Sequence, residues 1–219
     1  MTNNNHFDRI QKMFGSFSNG YDIGLAFSGL SETSRIRKES IEGLTIGNGE
    51  TVFDICCGTG MNFKYLENWI GKDGKIIGVD LTQQMLEVAK KRNKKQGWGN
   101  IDLVNENIIS FDTDLLGDNA ICTAAMGMIP EYVEAINIVI KHLKPNGKFA
   151  IVDVKESDHF PFKMFNIPIR AFAKTANFDI RNRKIIEYIR TKYEVVSYKE
   201  YFGGYFYSII FKEHRIDIK

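Results

Sequence analysis

The sequence predicts a doubly wound α/β domain, and three observations carry that expectation. From about residue 50 to 155, short β-branched, nearly all-apolar runs alternate with longer amphipathic ones. The turn Gly58-Thr59-Gly60 directly follows the first apolar run, and near the end two alternating, aromatic-rich runs flank Gly203-Gly204. Strands that lack polar alternation are buried on both faces, as in a parallel sheet covered by helices. Two alternating runs around a glycine pair form a hairpin, so an antiparallel pair closes the otherwise parallel sheet.

Taken in order, Phe7, Ile10, Met13, Phe14 and Phe17 recur at spacings of three and four, which predicts an amphipathic helix over 5–19. The segment SNGYDIGLAFSGLS breaks it, and a second helix over about 32–42 ends at Gly43. TVFDI (51–55) is the first strand, followed by the glycine turn and a helix over about 60–70. KIIGVD (75–80) is a strand, TQQMLEVAKKRNKKQ (82–96) a helix opened by Thr82 as N-cap, and NIDLV (100–104) a strand. NAICTAAM (119–126) is the fourth strand, and the helix over 130–143 carries Pro130 in its first turn. KPNG then turns the chain into KFAIVDV (148–154). Residues 155–192 form the longest connection, helical in parts.

The 219 residues are 43% hydrophobic and 26% charged, enough apolar material for a sizeable core. One domain over 1–219 is expected, with 1–45 as an N-terminal helical cap and 155–192 as a lid-like insertion. Twenty-nine basic against 27 acidic residues leave +2, which supplies no strong field for steering onto nucleic acid. The run KKRNKK (90–95) falls at a helix C-terminal end, where the helix dipole favours cations. No apolar stretch approaches the roughly 18 to 20 residues that span a bilayer, and the start MTNNNHFDR lacks a signal-peptide core, so a cytoplasmic protein is expected. Cys56, Cys57 and Cys122 form neither an even framework nor a paired metal motif, and the four histidines are scattered. Reduced thiols and no metal site follow as expectations.

DICCGTG (54–60) falls where an open α/β sheet binds ligands, at the carboxyl end of the first strand and the start of a helix. A dinucleotide fingerprint requires a third glycine at position 63, where this chain has Phe63, and the GK[ST] ending of a P-loop is missing. Twenty residues after Gly60, Asp80 ends the second strand, where a carboxylate can accept both hydrogen bonds of a ribose diol. A glycine turn without the third glycine, paired with a ribose-binding acid, suits a nucleoside that carries no pyrophosphate.

DICCGTG, GVDLTQQML and LKPNGKFAIVDV, in that order over about residues 50–155, resemble the class I S-adenosylmethionine-dependent methyltransferases. Within that class the likeness is to the ubiquinone/menaquinone C-methyltransferase group, in which a Tyr-Asp pair precedes the fold, as Tyr21-Asp22 does here. The resemblance implies a Rossmann-like, seven-stranded, mostly parallel sheet with a C-terminal antiparallel hairpin, and S-adenosyl-L-methionine as cofactor. It implies that Tyr21, Asp54, Cys56 and the Gly58-Thr59-Gly60 turn surround the methionine end. Asp80 would take the ribose, Leu81 and Met85 the adenine surround, and Asn107 with Ile108 the adenine edge. Thr123, Ala124 and Ala125 would line the floor beneath the sulfonium. Cys56 stands where a glycine is common in the class.

On the acceptor side, HFPFKMFNIPIRAFAK mixes Phe160, Phe162, Met164, Phe165, Ile167, Ile169 and Phe172 with Lys163, Arg170 and Lys174, a greasy segment with a basic rim. A small, hydrophobic, quinone-like or lipid-like acceptor is expected, with peripheral membrane contact as a further expectation and nucleic acid excluded as a partner. A carbon or oxygen acceptor requires removal of a proton, and Tyr21 and His159 are the candidate catalytic residues, ahead of His142 and Tyr205. His142 lies near a helix end and suits a structural role. The competing functions are phospholipid head-group N-methylation and a catalytically silent cofactor-binding or assembly protein.

Overall fold

In a computed structural model the structure describes residues 3–17, 31–175 and 184–214. Seven strands form one sheet: β1 (Thr51–Ile55), β2 (Lys75–Asp80), β3 (Ile101–Asn105), β4 (Gly117–Thr123), β5 (Leu143–Val154), β6 (Glu194–Tyr201) and β7 (Phe206–Lys212). Their order is β3-β2-β1-β4-β5-β7-β6. The first five pair in parallel, with Phe53 opposite Ile77 on one side and Ala120 on the other, whereas β7 runs antiparallel between β5 and β6. The central strands are buried along nearly their whole length, which is why they read as continuous apolar runs.

Helices cover both faces. On one, Ile41 and Leu44 of α2 (Ser31–Leu44), Phe63, Leu66 and Ile70 of α3 (Phe63–Ile70) and Leu86 and Ala89 of α4 (Gln83–Gln96) pack on Val52, Ile76 and Ile121. On the other, α5 (Tyr132–Lys141) and α7 (Ile185–Lys192) bring Ile136, Val139, Ile185 and Ile189 against Phe53, Ile77 and Phe149. Ile10 and Phe14 of α1 (Asn3–Phe17) pack at the margin of this second cluster. α6 (Asn166–Thr175) follows a short 3-10 turn at Phe162–Phe165. Among the described residues no helix is long and apolar enough to cross a membrane.

Several element boundaries differ from the sequence expectation. Gly43 does not end α2: it lies within the helix, where a Cβ would sit 2.5 Å from Ile210 Cδ1, so the glycine permits close packing on β7. Ser40 Oγ and Ser208 Oγ meet 2.7 Å apart along the same contact, and the turn falls to Thr45, with φ +56°. β4 ends at Thr123 rather than 126 because Ala124 takes φ +55° and its amide turns to the Val152 carbonyl at 2.7 Å. Thr82 does occupy the N-cap position of α4, yet its hydroxyl does not cap the helix and serves Asp80 instead. The described residues of 155–192 fall into two kinds. Ile185 and Ile189 are buried parts of the core, whereas Phe160, Met164, Phe165 and Ile167 stand exposed.

Candidate functional site

The carboxyl ends of β2, β1 and β4 open into a cavity of about 850 Å³ including its mouth. Parallel strands place their carboxyl ends and the following helix starts on one edge of the sheet, so ligand-accepting turns collect there. The turn after β1 is built by left-handed residues: Cys56 at φ +53°, Gly58 at +55° and Gly60 at +73°. At Gly60 a Cβ would lie 2.3 Å from the ring of Phe63, and at Gly78 of β2 it would lie 3.0 Å from the same ring. Phe63, wholly buried, therefore fills the space into which a third glycine would let the helix settle.

Asp80 faces this turn. Its Oδ2 accepts from the Gly58 amide and its Oδ1 from the Thr82 amide, both at 2.8 Å. Burial pushes the Asp80 carboxyl above the usual carboxylate range, while the Thr82 and Gly58 amides pull it back. With the two amides and the Thr82 hydroxyl bound, the carboxylate retains acceptor capacity on the face that lines the cavity, where a ribose hydroxyl can be received. Leu81, Thr82 and Met85 continue the wall from α4, and Glu106, Asn107 and Ile108 supply it beyond β3. Asn107 Oδ1 accepts from the Ile109 amide at 3.1 Å, which fixes the side chain that the resemblance places at the adenine edge.

Behind the turn lies a buried polar network. Asn62 Nδ2 donates to Asp54 Oδ1 at 2.8 Å and to Thr123 Oγ1 at 3.2 Å; Arg37 Nη1 donates to Asn62 Oδ1 at 2.9 Å and also to Thr123 Oγ1. No described residue bonds Asp54 Oδ2. Burial pushes the Asp54 carboxyl up to about 7, against the Asn62 hydrogen bond and the charge of Arg37. An acid titrating there is poised to respond to an added positive charge.

The structure brings Cys56, Gly58, Thr59, Asp80, Leu81, Met85, Asn107, Ile108, Thr123 and Ala124 to the cavity wall. Asp54 lies beneath it with no exposed surface, and Gly60 shapes the turn without lining it. Tyr21 falls outside the described residues. His159 is not brought to the cavity: its Nε2 meets Glu200 Oε2 at 2.7 Å on the far side of β5. Burial opposes ionisation of Glu200, but Tyr198, His159 and Lys155 together hold its carboxyl down to about 2. His142 is buried between the Ile138 carbonyl and Asp112 Oδ1, and Tyr205 donates to the Phe162 carbonyl. Neither lines the cavity. Burial raises the Cys57 thiol, and the Cys56 hydrogen bond followed by burial raises that of Cys122, so both stay protonated and unreactive.

Sequence reasoning expected a helical cap over 1–45 but named none of its described residues as lining the cavity. Ile10 and Phe14 of α1 face Met128 and Ile129, giving the cavity an apolar side, and Arg37 of α2 supplies a cation at the β4 end. Arg37 stands four and seven residues before Ile41 and Leu44, on the face that α2 buries, so helical spacing did mark it as a charge at a core position.

The profile of the ubiE/COQ5 methyltransferase family matches residues 1–178. The demethylmenaquinone methyltransferase of Lactococcus lactis is 28% identical over 148 residues, covering 67% of this chain and 58% of the relative, so the match spans little more than half of that protein. Among solved structures, a putative methyltransferase in complex with the Haloferax volcanii Trm112 activator superposes with TM-score 0.72 over 94% of this chain and 99% of that one, at 12% identity. The N-methyltransferase NodS of Bradyrhizobium japonicum, in complex with S-adenosyl-L-homocysteine, gives 0.62 over 83% and 87%, at 15% identity.

Proposed function

Because this chain belongs to the ubiE/COQ5 methyltransferase family, we propose that it transfers a methyl group from S-adenosyl-L-methionine to a small hydrophobic, quinone-like acceptor. The observation that carries this is one cavity with two characters. An acid and a glycine turn suited to a nucleoside occupy one wall, and Ile10, Phe14, Met128 and Ile129 make another wall apolar. The curated relative named as acting on demethylmenaquinone gives the acceptor class.

When bound, S-adenosyl-L-methionine supplies a methyl group on a sulfonium, ready for in-line displacement. Asp80 would hold the ribose hydroxyls, with Gly58 and Thr82 keeping its carboxylate aimed. The turn at 56–60 would let the ligand approach backbone at Gly58, where a Cβ would meet nothing within 4 Å and nothing bulky intrudes. Met85 and Ile108 would flank the base, and Thr123 and Ala124 would set the floor under the reacting sulfur. Positioning of this kind supplies on the order of 7 to 11 kcal/mol of barrier reduction without a covalent residue. A quinol ring carbon beside a hydroxyl is nucleophilic through that hydroxyl's electrons, and the ring proton that methylation displaces would pass to solvent, because His159 does not line the cavity. None of the described cavity-lining residues comes from the lid-like stretch, whose Phe160, Met164, Phe165 and Ile167 stand exposed.

The test is incubation of purified protein with methyl-labelled S-adenosylmethionine and a short-tailed, unmethylated 1,4-naphthoquinol, read by mass spectrometry. A labelled C-methyl product is expected. Label in the head group of phosphatidylethanolamine instead would replace the quinone-like acceptor with a lipid, and tight cofactor binding without transfer to either would reduce the chain to a binding protein.

A further inference from the structure

We infer that the turn at 160–167, together with the tip of the β6–β7 hairpin, is a docking surface for a phospholipid bilayer with anionic headgroups. The docking is independent of which ligand the cavity binds, and it adds a partner on the same side of the molecule.

Six large apolar side chains are gathered there. Phe160, Met164, Phe165 and Ile167 are 57–83% exposed, and Phe162 and Phe202 are each 43% exposed. Apolar residues scattered singly over a surface are ordinary, whereas a contiguous patch marks a contact with something outside the chain. The patch is held firmly. Asn166 exchanges hydrogen bonds of 3.1 and 2.9 Å with the Ser157 backbone, Ser157 Oγ donates to the Gly203 carbonyl, and Tyr205 donates to the Phe162 carbonyl at 2.6 Å. Gly203 lets the hairpin tip mesh with the turn, since a Cβ there would lie 2.3 Å from the Phe162 ring. Beside it Phe202 takes φ +52°, a left-handed angle that a bulky side chain adopts only under strain. Strain is thus held where an aromatic ring is presented to the outside.

The surrounding charges identify the partner. The acids behind the patch are already met: Glu156 by Arg170 at 2.6 Å, Asp158 by Lys155 at 3.4 Å, and Glu200 by Lys155 at 3.1 Å and His159 at 2.7 Å. Lys163, exposed in the middle of the apolar run, forms no ion pair among the described residues. Apolar side chains that enter the acyl region, with a lysine among them whose ammonium reaches back to the phosphates, make an interfacial anchor. A protein partner would need both an apolar groove and an acid placed for Lys163; an anionic bilayer offers both at every point of its surface. The position also fits. Val154 at the end of β5 pairs with Phe206, and Phe206 with Tyr201 across the hairpin, so the turn and the hairpin tip emerge at the carboxyl edge of the sheet. The cavity opens on that edge, and docking brings it to the membrane.

Co-sedimentation of the full chain with phosphatidylcholine vesicles, with and without about 30% phosphatidylglycerol, tests this. The wild type should bind the mixed vesicles, and pure phosphatidylcholine more weakly. The double variant Phe160→Ser, Met164→Ser should lower the partition coefficient on both by about tenfold or more, with an unchanged thermal unfolding midpoint. Lys163→Glu should weaken binding to the mixed vesicles by about fivefold or more and leave phosphatidylcholine binding within about twofold. Phe160→Trp adds a reporter whose extra fluorescence over the wild type should be quenched by lipid brominated in its acyl chains. Wild-type binding to neither vesicle, undiminished binding of the double variant, or an unquenched reporter would overturn the bilayer as partner, the last even if the double variant does not fold. A wild-type dimer in lipid-free sedimentation velocity that the double variant abolishes would overturn it too, because a second copy would then cover the patch. Equal binding of wild type and Lys163→Glu to the mixed vesicles would overturn the role of anionic headgroups. Vesicle binding without methyl transfer to a quinol would support the docking and remove the acceptor reading; methyl transfer without vesicle binding would do the reverse.

Discussion

At the scale of single residues, the site is organised by groups that do two things at once. Asp80 anchors the turn after β1 through the Gly58 amide and the start of α4 through the Thr82 amide and hydroxyl, and it still presents acceptor capacity to the cavity. Asp80→Ala should therefore weaken S-adenosylhomocysteine and 5′-methylthioadenosine alike, by about 10- to 100-fold, the size expected for lost hydrogen bonds of roughly 1.5–3 kcal/mol to a charged group. Unchanged dissociation constants in calorimetry would take Asp80 out of the ribose site. Cys56 shows how a residue type and a backbone angle interact. Its φ of +53° is one that glycine adopts freely, which accounts for the glycine common at this place in the class, and its small side chain keeps the turn within reach of a ligand.

At the scale of elements, α1 is the piece that closes the cavity. Gln11 Nε2 donates to the Leu81 carbonyl at 2.9 Å, Gly15 comes close to Gln84, and Ile10 and Phe14 turn inward over the cavity. The helix thus hangs on the end of β2 and on α4, with Gln11 tying it to the turn between them. A bound ligand would add buried contacts to Ile10 and Phe14, so S-adenosylhomocysteine should slow limited proteolysis within residues 5–17 several-fold. The 157–166 segment should respond less. It is fastened to the β6–β7 turn, with Asn166 exchanging hydrogen bonds with the Ser157 backbone and Tyr205 donating to the Phe162 carbonyl. Identical cleavage of α1 with and without ligand, followed by mass spectrometry, would mean that α1 is seated whether or not the site is filled.

At the scale of the whole molecule, two buried carboxyls within the sheet contribute to the pH dependence of stability. Burial is the largest cause at both: it pushes Asp54 up to about 7 and Asp153 up to about 6. In the unfolded chain both titrate near 4, so between about pH 4 and 7 the native state holds more protons than the unfolded state. Stability from these groups is therefore greatest at the acidic end of that window, falls as pH rises through it, and levels off above about 7. Asp54→Asn keeps an oxygen for Asn62 and cannot ionise. Its loss of stability from pH 5 to 8 should be smaller than the wild type's by on the order of 2 kcal/mol, given about 1.4 kcal/mol per proton per pH unit and partial relaxation. Parallel urea titrations of the two proteins at pH 5, 6.5 and 8 would measure it, and equal slopes would acquit Asp54.

Much of this was legible in the sequence, because local chemistry determines local form. Alternating apolar runs and amphipathic runs predicted the parallel strands and helices, the Gly203-Gly204 pair predicted the hairpin, and Gly58, Gly60 and Asp80 predicted one wall of the cavity. Phe63 in place of a third glycine signalled a nucleoside without pyrophosphate, and in the fold its ring occupies the space beside Gly60 and Gly78. What only the tertiary structure decided is what depends on residues far apart in the chain. The pairing of Arg37 with Thr123 joins positions 86 residues apart, and Gln11 with Leu81 joins positions 70 apart. Gly43 read as a helix stop because the methyl-sized gap it leaves for Ile210 exists only once α2 lies on β7. His159, aromatic and in a greasy segment, looked like a base until the fold carried it to Glu200. Periodicity and turn chemistry act over a few residues and survive in the sequence; which side chains share one cavity is settled by how the helices dock on the sheet, and that information is spread over the whole packed core.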